Sequence, residues 1–115
     1  MLKKVNNTIM KLTKEEFKVM LMLYVANADG NIQSEEVRIM LEKTDFDTVA
    51  KVEQLFAKMN DAQALDCIRE NKKEFASTED DRLSLIADMV AVIEADENCS
   101  AVEDQMVRML RMILA

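Results

Sequence analysis

The sequence contains no proline, no histidine and one glycine, Gly30, among 115 residues. Without proline or further glycine, long runs rich in Leu, Met, Ala, Glu, Lys and Asp have no backbone reason to leave the helical region. An all-α fold is expected, with the whole chain, residues 1–115, as one domain. Without histidine, the usual general base near neutral pH is missing. There is also no glycine-rich phosphate loop and no nucleophile elbow, so the chain reads as non-enzymatic. A basic surface is lacking too, since 22 acidic against 15 basic residues give a net charge of -7. Nucleic acid is therefore excluded as a ligand, because neutralising phosphate needs a basic face. An acidic surface suits a cation, a basic partner protein, or solubility alone.

Long apolar runs are absent as well. The longest, "VMLMLYVA" from Val19 to Ala26, falls far short of the roughly 20 residues that span a bilayer, and no membrane insertion is expected. The amino terminus has two lysines but no apolar signal core and no cleavage site, which leaves the cytoplasm as the expected compartment. Cys67 and Cys99 have no CxxC spacing and read as small buried hydrophobes in a reducing compartment.

What is present is a series of helix starts. Thr13 with Glu16 forms a capping box that opens a helix through about Ala28, with Phe17, Met20, Leu21, Tyr24, Val25 and Ala28 on one core face. A second helix is expected from about Ser34 to Lys43, with Val37, Met40 and Leu41 inward. A third runs from about Asp47 to Met59, with Val49, Val52, Phe56 and Met59 inward. Asn60 with Gln63 caps a fourth, ending near Phe75, in which Leu65 and Ile68 recur at helical spacing. Thr78 with Asp81 starts a fifth, running to about Asp96. It is apolar on nearly every side and is therefore expected at the centre of the bundle. Ser100 with Glu103 opens the last, with Val102, Met106, Met109, Leu110, Ile113 and Leu114 inward. Six or seven helices result, residues 1–11 being a short extra helix or a loose arm.

A shift of 67 residues lays "MLYVANADGNIQSEE" over "MVAVIEADENCSAVE". Met22 then matches Met89, Val25 matches Val92, Ala28 matches Ala95, Asp29 matches Asp96, Asn31 matches Asn98, and Glu36 matches Glu103. Each copy is an apolar helix, an Asp-containing loop and an acidic first turn, so the chain reads as two helix-loop-helix units.

The first loop also has the spacing of a calcium-binding EF-hand, which takes oxygen ligands at positions 1, 3, 5, 7, 9 and 12 and a glycine at 6. With Gly30 at 6, the ligand positions hold Val25, Asn27, Asp29, Asn31, Gln33 and Glu36. In the second copy they hold Val92, Glu94, Asp96, Asn98, Ser100 and Glu103, with Glu97 in place of glycine. Position 1 lacks a carboxylate in both. The same residues also make a turn and a cap: Gly30 supplies a positive φ, Asp29 bonds back to turn amides, and Glu36 and Glu103 sit at N3. Were the copies related by a two-fold, Asp29, Glu35, Glu36, Glu94, Asp96 and Glu103 would converge and favour a cation or a basic partner. The candidate metal ligands are thus Asp29, Asn31, Glu36, Asp96, Asn98 and Glu103, for a divalent cation such as calcium.

The apolar helix running into "ANADGNIQSEE", with its weaker copy "IEADENCSAVE", resembles the TerB-like family of the bacterial tellurite-resistance system, from roughly Leu12 to the end. The resemblance implies an all-helical bundle, a cytoplasmic protein and an acidic metal site used in stress responses or as a module on larger proteins. Asp29 and Glu36 match its first acidic motif, and Asp96 and Glu103 its second. Glu97 departs from the usual glycine and Cys99 from an aliphatic residue.

Ten methionines are present, and Met106, Met109 and Met112 recur along the last helix. Methionine at helical spacing reads as core, while an exposed Met-rich face there favours partner binding. An acyl carrier protein is excluded because "DDRLSLIADM" lacks the Asp-Ser-Leu motif. Two functions remain: a cation-binding stress-response protein, or a metal-free helical module that binds a partner through its acidic loops or its Met-rich helix.

Overall fold

The Thr13 capping box forms as its sequence predicts. Thr13 Oγ1 accepts from the Glu16 amide at 3.1 Å and Glu16 Oε1 accepts from the Thr13 amide at 2.9 Å, satisfying two donors that a helix start leaves orphaned. In the computed structural model, which describes residues 10–28, 30–95 and 101–115, this box opens α1, Lys14–Ala26. There follow α2 (Ser34–Lys43), α3 (Phe46–Ala57), α4 (Asp61–Phe75), α5 (Glu79–Glu94) and α6 (Ala101–Leu114). Among the described residues the fold is all-helical, without a strand. The extra amino-terminal helix or arm falls mostly on residues 1–9, outside the described residues.

Caps read from sequence also start α4 and α5. Asn60 and Gln63 form a reciprocal box at 2.8 and 2.9 Å, and Thr78 Oγ1 accepts from the Asp81 amide at 3.0 Å. The third helix starts slightly earlier than expected, because Asp45 Oδ1 accepts from the Thr48 amide at 2.7 Å and makes Asp45 the cap. This bond and the Thr48 side chain hold the Asp45 carboxyl below its ordinary value.

The centre of the bundle is α1, not the fifth helix. Every residue from Val19 to Ala26 is buried, and α1 packs against all five other helices. Its core extends beyond the expected single face to Val19, Met22 and Leu23, each fully buried. Such side chains contribute roughly 1.5–3 kcal/mol each when taken from water. Helix α5 buries Leu85, Ile86, Met89, Val92 and Ile93, but Leu83 is 54% exposed. Two further side chains expected inward, Leu41 and Val102, are exposed, and Ala28, Val37, Phe56, Met59, Met106, Met109 and Ile113 are half-buried.

The two helix-loop-helix units pack into each other. Helices α1 and α5 pack on each other. Then α2 packs on both α1 and α5, and α6 on both α5 and α1. Each unit's second helix thus touches the first helix of both units, which ties the two copies into one core. Helices α3 and α4 join the units and cover the rest of α1.

One buried amide fastens the entry to α1. Asn71 Oδ1 accepts from the Leu12 amide at 2.9 Å, and its Nδ2 donates to the Met10 and Cys67 carbonyls, each at 2.8 Å. Burying Asn71 is tolerable because these bonds satisfy it. Cys67 beside it is a buried free thiol whose pKa burial pushes up, consistent with the small-hydrophobe reading.

Candidate acidic loops and a neighbouring cleft

Helix α1 is capped by Asn27, whose amide reaches back to the Leu23 carbonyl at 2.9 Å, and the chain turns through Gly30 at φ 85. That left-handed value explains the glycine: a Cβ there would meet no neighbour, so the constraint is the backbone angle rather than space. The Gly30 amide closes the turn on the Asn27 carbonyl at 2.9 Å.

The chain then enters α2 with Glu36 at its third position. Glu36 Oε1 accepts from the Gln33 amide at 2.8 Å, so its capping role, read from the sequence, is realised. Its burial was not foreseen: Glu36 is 0% exposed. In the second unit Glu103, also in the first turn of its helix, is 1% exposed. Two matched carboxylates are therefore sunk at matched helix N-termini, where the macrodipole favours negative charge. The flanking acids differ, since Glu35 and Glu94 are exposed. Asn31 is exposed as well. Asp29, Asp96, Asn98 and Cys99 lie outside the described residues. Among the described residues no group of three or more Asp, Glu, Cys or His side chains gathers as a metal site.

A cleft of about 420 Å³ opens beside the first loop. Ile32, Phe56, Met59 and Met106 give it apolar walls, and Glu53 and Asp61 give it acid. Within it the Tyr24 hydroxyl donates to Asp61 Oδ1 at 2.6 Å. Burial first, and then the Asp61 carboxylate, push the Tyr24 pKa up, so the phenol stays protonated and keeps donating. Sequence reasoning placed Tyr24 in the core and missed this pair. The available signal was chemical: a buried tyrosine hydroxyl needs a partner. Nothing local pointed to Asp61, 37 residues away.

The family model described as tellurite resistance protein TerB matches residues 15–115. The chain belongs to the TerB family. Neither a curated protein nor a solved structure matches it. For this TerB-family chain, the match runs from the first turn of α1 to the end and so takes in both helix-loop-helix units, with Glu36 and Glu103 inside it. Among the described residues no helix is long and apolar enough to cross a membrane.

Proposed function

We propose that this TerB-family chain is a non-enzymatic protein that binds a divalent cation, calcium foremost, through its two acidic loops, in a stress response of the tellurite-resistance type. The observation that carries the reading is the matched burial of Glu36 and Glu103. Burying a carboxylate is costly, and doing so at the same position of both repeats puts a harder demand on the sequence than an exposed cap would. Calcium takes six to eight oxygens. Val25 and Val92 supply no side-chain oxygen, so neither loop is a sufficient EF-hand by itself. The reading therefore draws on both, with Asp29, Asn31 and Glu36 from one unit and Asp96, Asn98 and Glu103 from the other.

Calorimetry of chelator-treated protein tests it. Millimolar calcium is expected to raise Tm, since a ligand at 100 times its Kd adds about 2.7 kcal/mol to the folded state. Asp29→Ala combined with Asp96→Ala should abolish the shift. An unchanged Tm with calcium, magnesium and manganese would overturn the proposal.

A second reading, a metal-free interaction module, is favoured by α6. Met112 is 77% and Val102 46% exposed, and Met106 and Met109 are half-buried between them. Such an apolar edge on an otherwise charged helix suits a partner surface. This reading expects a partner to co-purify with the protein in the presence of chelator.

A further inference from the structure

We infer that the cleft between α1, α3, α4 and α6 is a docking site for a partner peptide that presents a lysine or arginine beside a large aliphatic side chain. The inference rests on the interaction-module reading and goes beyond it by naming the surface and the chemistry it recognises. At about 420 Å³ the cleft is within the usual range of ligand pockets, roughly 300–1,000 Å³. Its apolar side is built from half-buried Ile32, Phe56, Met59 and Met106. Two of these are methionines, whose unbranched thioethers adapt to the shape of an inserted side chain.

The polar side of the cleft selects the charge of the occupant. Glu53 and Asp61 both line it, none of the described lining residues is basic, and neither acid is in an ion pair among the described residues. Arg69, whose charge is felt at Tyr24, pairs instead with Asp66 at 3.7 Å. Tyr24 fixes Asp61 by donating to Oδ1, which leaves Oδ2 to receive an ammonium or guanidinium. An acidic peptide would be repelled at this rim. A wholly apolar one would cover Glu53 and Asp61 without pairing them, at a desolvation cost. The net charge of -7 adds a field that draws a basic segment in.

Methionine-methyl NMR of the chelator-treated full chain tests the site directly. The probe is an eight-residue peptide alternating leucine and lysine, with the same peptide carrying glutamate for lysine as control. The Met59 and Met106 methyl signals should shift saturably with the lysine peptide, and those of buried Met40 and exposed Met112 should stay in place. Ala57→Trp, which puts an indole into the cleft from an exposed helix end, should weaken binding about tenfold or more, as obstruction of a central pocket does. Asp61→Asn should weaken it several-fold, while Glu74→Gln, at an exposed acid of α4 outside the cleft, should leave it unchanged. No saturable shift at Met59 and Met106, an equal response to the glutamate peptide, or full binding by Ala57→Trp would each overturn the inference. A shift confined to Met112 would also overturn it, while leaving the broader interaction reading standing on the α6 edge.

Discussion

Helices α1 and α5 are matched by the 67-residue repeat, yet one is surrounded and the other is not. Under that shift Met22 meets Met89 and Val25 meets Val92, and all four are buried. At other positions of α1 the match fails. Phe17 meets Ser84, Met20 meets Ala87, and Leu21 meets Asp88. The three residues of α1 are fully buried, whereas Ser84 and Ala87 are exposed and Asp88 reaches Lys43 of α2 at 3.3 Å. Helices α3 and α4 pack chiefly on α1, and Phe17 meets Phe75 of α4. The repeat thus keeps some buried positions in both copies and loses others in α5, while the connecting helices cover chiefly the α1 copy.

The largest test of this difference uses two leucines. Leu23 is fully buried and Leu83 is 54% exposed. Leu23→Ala should cost about 2–5 kcal/mol by urea denaturation, the range for opening a core cavity. Leu83→Ala should stay within about 0.5 kcal/mol, as surface changes usually do. Equal costs would mean that α1 is no more central than α5.

That pair also marks what the sequence could and could not disclose. Helix starts were legible because caps are local: Thr13 with Glu16, Asn60 with Gln63 and Thr78 with Asp81 each act within three residues. The choice of central helix was not, because it depends on which partners α3 and α4 cover. A clue was present in the unbroken run Val19 to Ala26, since α5 carries Ser84 and Asp88 within its apolar pattern and a charged residue needs a partner or water. At the candidate site, the cap at Glu36 was legible and its full burial was not. Capping requires one bond, whereas burial depends on how distant helices pack around it. The Tyr24–Asp61 contact was beyond local reading, because helical spacing says nothing about which residue 37 positions on meets a hydroxyl.

A second comparison sets the two buried carboxylates against each other. Glu36→Ala removes the acceptor held by the Gln33 amide at 2.8 Å and should cost about 1–2 kcal/mol, as loss of a helix cap does. If Glu103 plays the same part in the second unit, Glu103→Ala should cost about as much. Urea denaturation of both variants without added metal measures the structural share. Repeating it in millimolar calcium isolates any share owed to the ion, and the penalty of each variant should grow there. A penalty indifferent to calcium would assign both residues to capping alone.

The smallest expected effect concerns a carboxylate that only one copy possesses. Glu16 of α1 matches Leu83 of α5 under the repeat, and its Oε2 meets Lys51 of α3 at 2.7 Å while Oε1 caps the helix. The Lys51 ammonium first, and then the Thr13 amide, hold the Glu16 carboxyl below its ordinary value of 4.5. A lowered folded-state pKa means that the unfolded chain binds the proton more readily, so the stabilisation is complete above the unfolded value and is lost as pH falls through the folded one. The Lys51 side chain is 64% exposed, and solvent screening limits the pair to no more than about 1 kcal/mol. Lys51→Met should therefore lower stability slightly at pH 7, with the difference from wild type shrinking as the pH drops below 4.5. Urea denaturation from pH 7 to pH 3 reads this directly, and raised salt should narrow the pH 7 gap. A gap that persisted undiminished at acid pH would show that Lys51 stabilises α3 through its aliphatic stem rather than its charge. In that case the tie between α1 and α3 would be apolar, like the interface of α1 with α5.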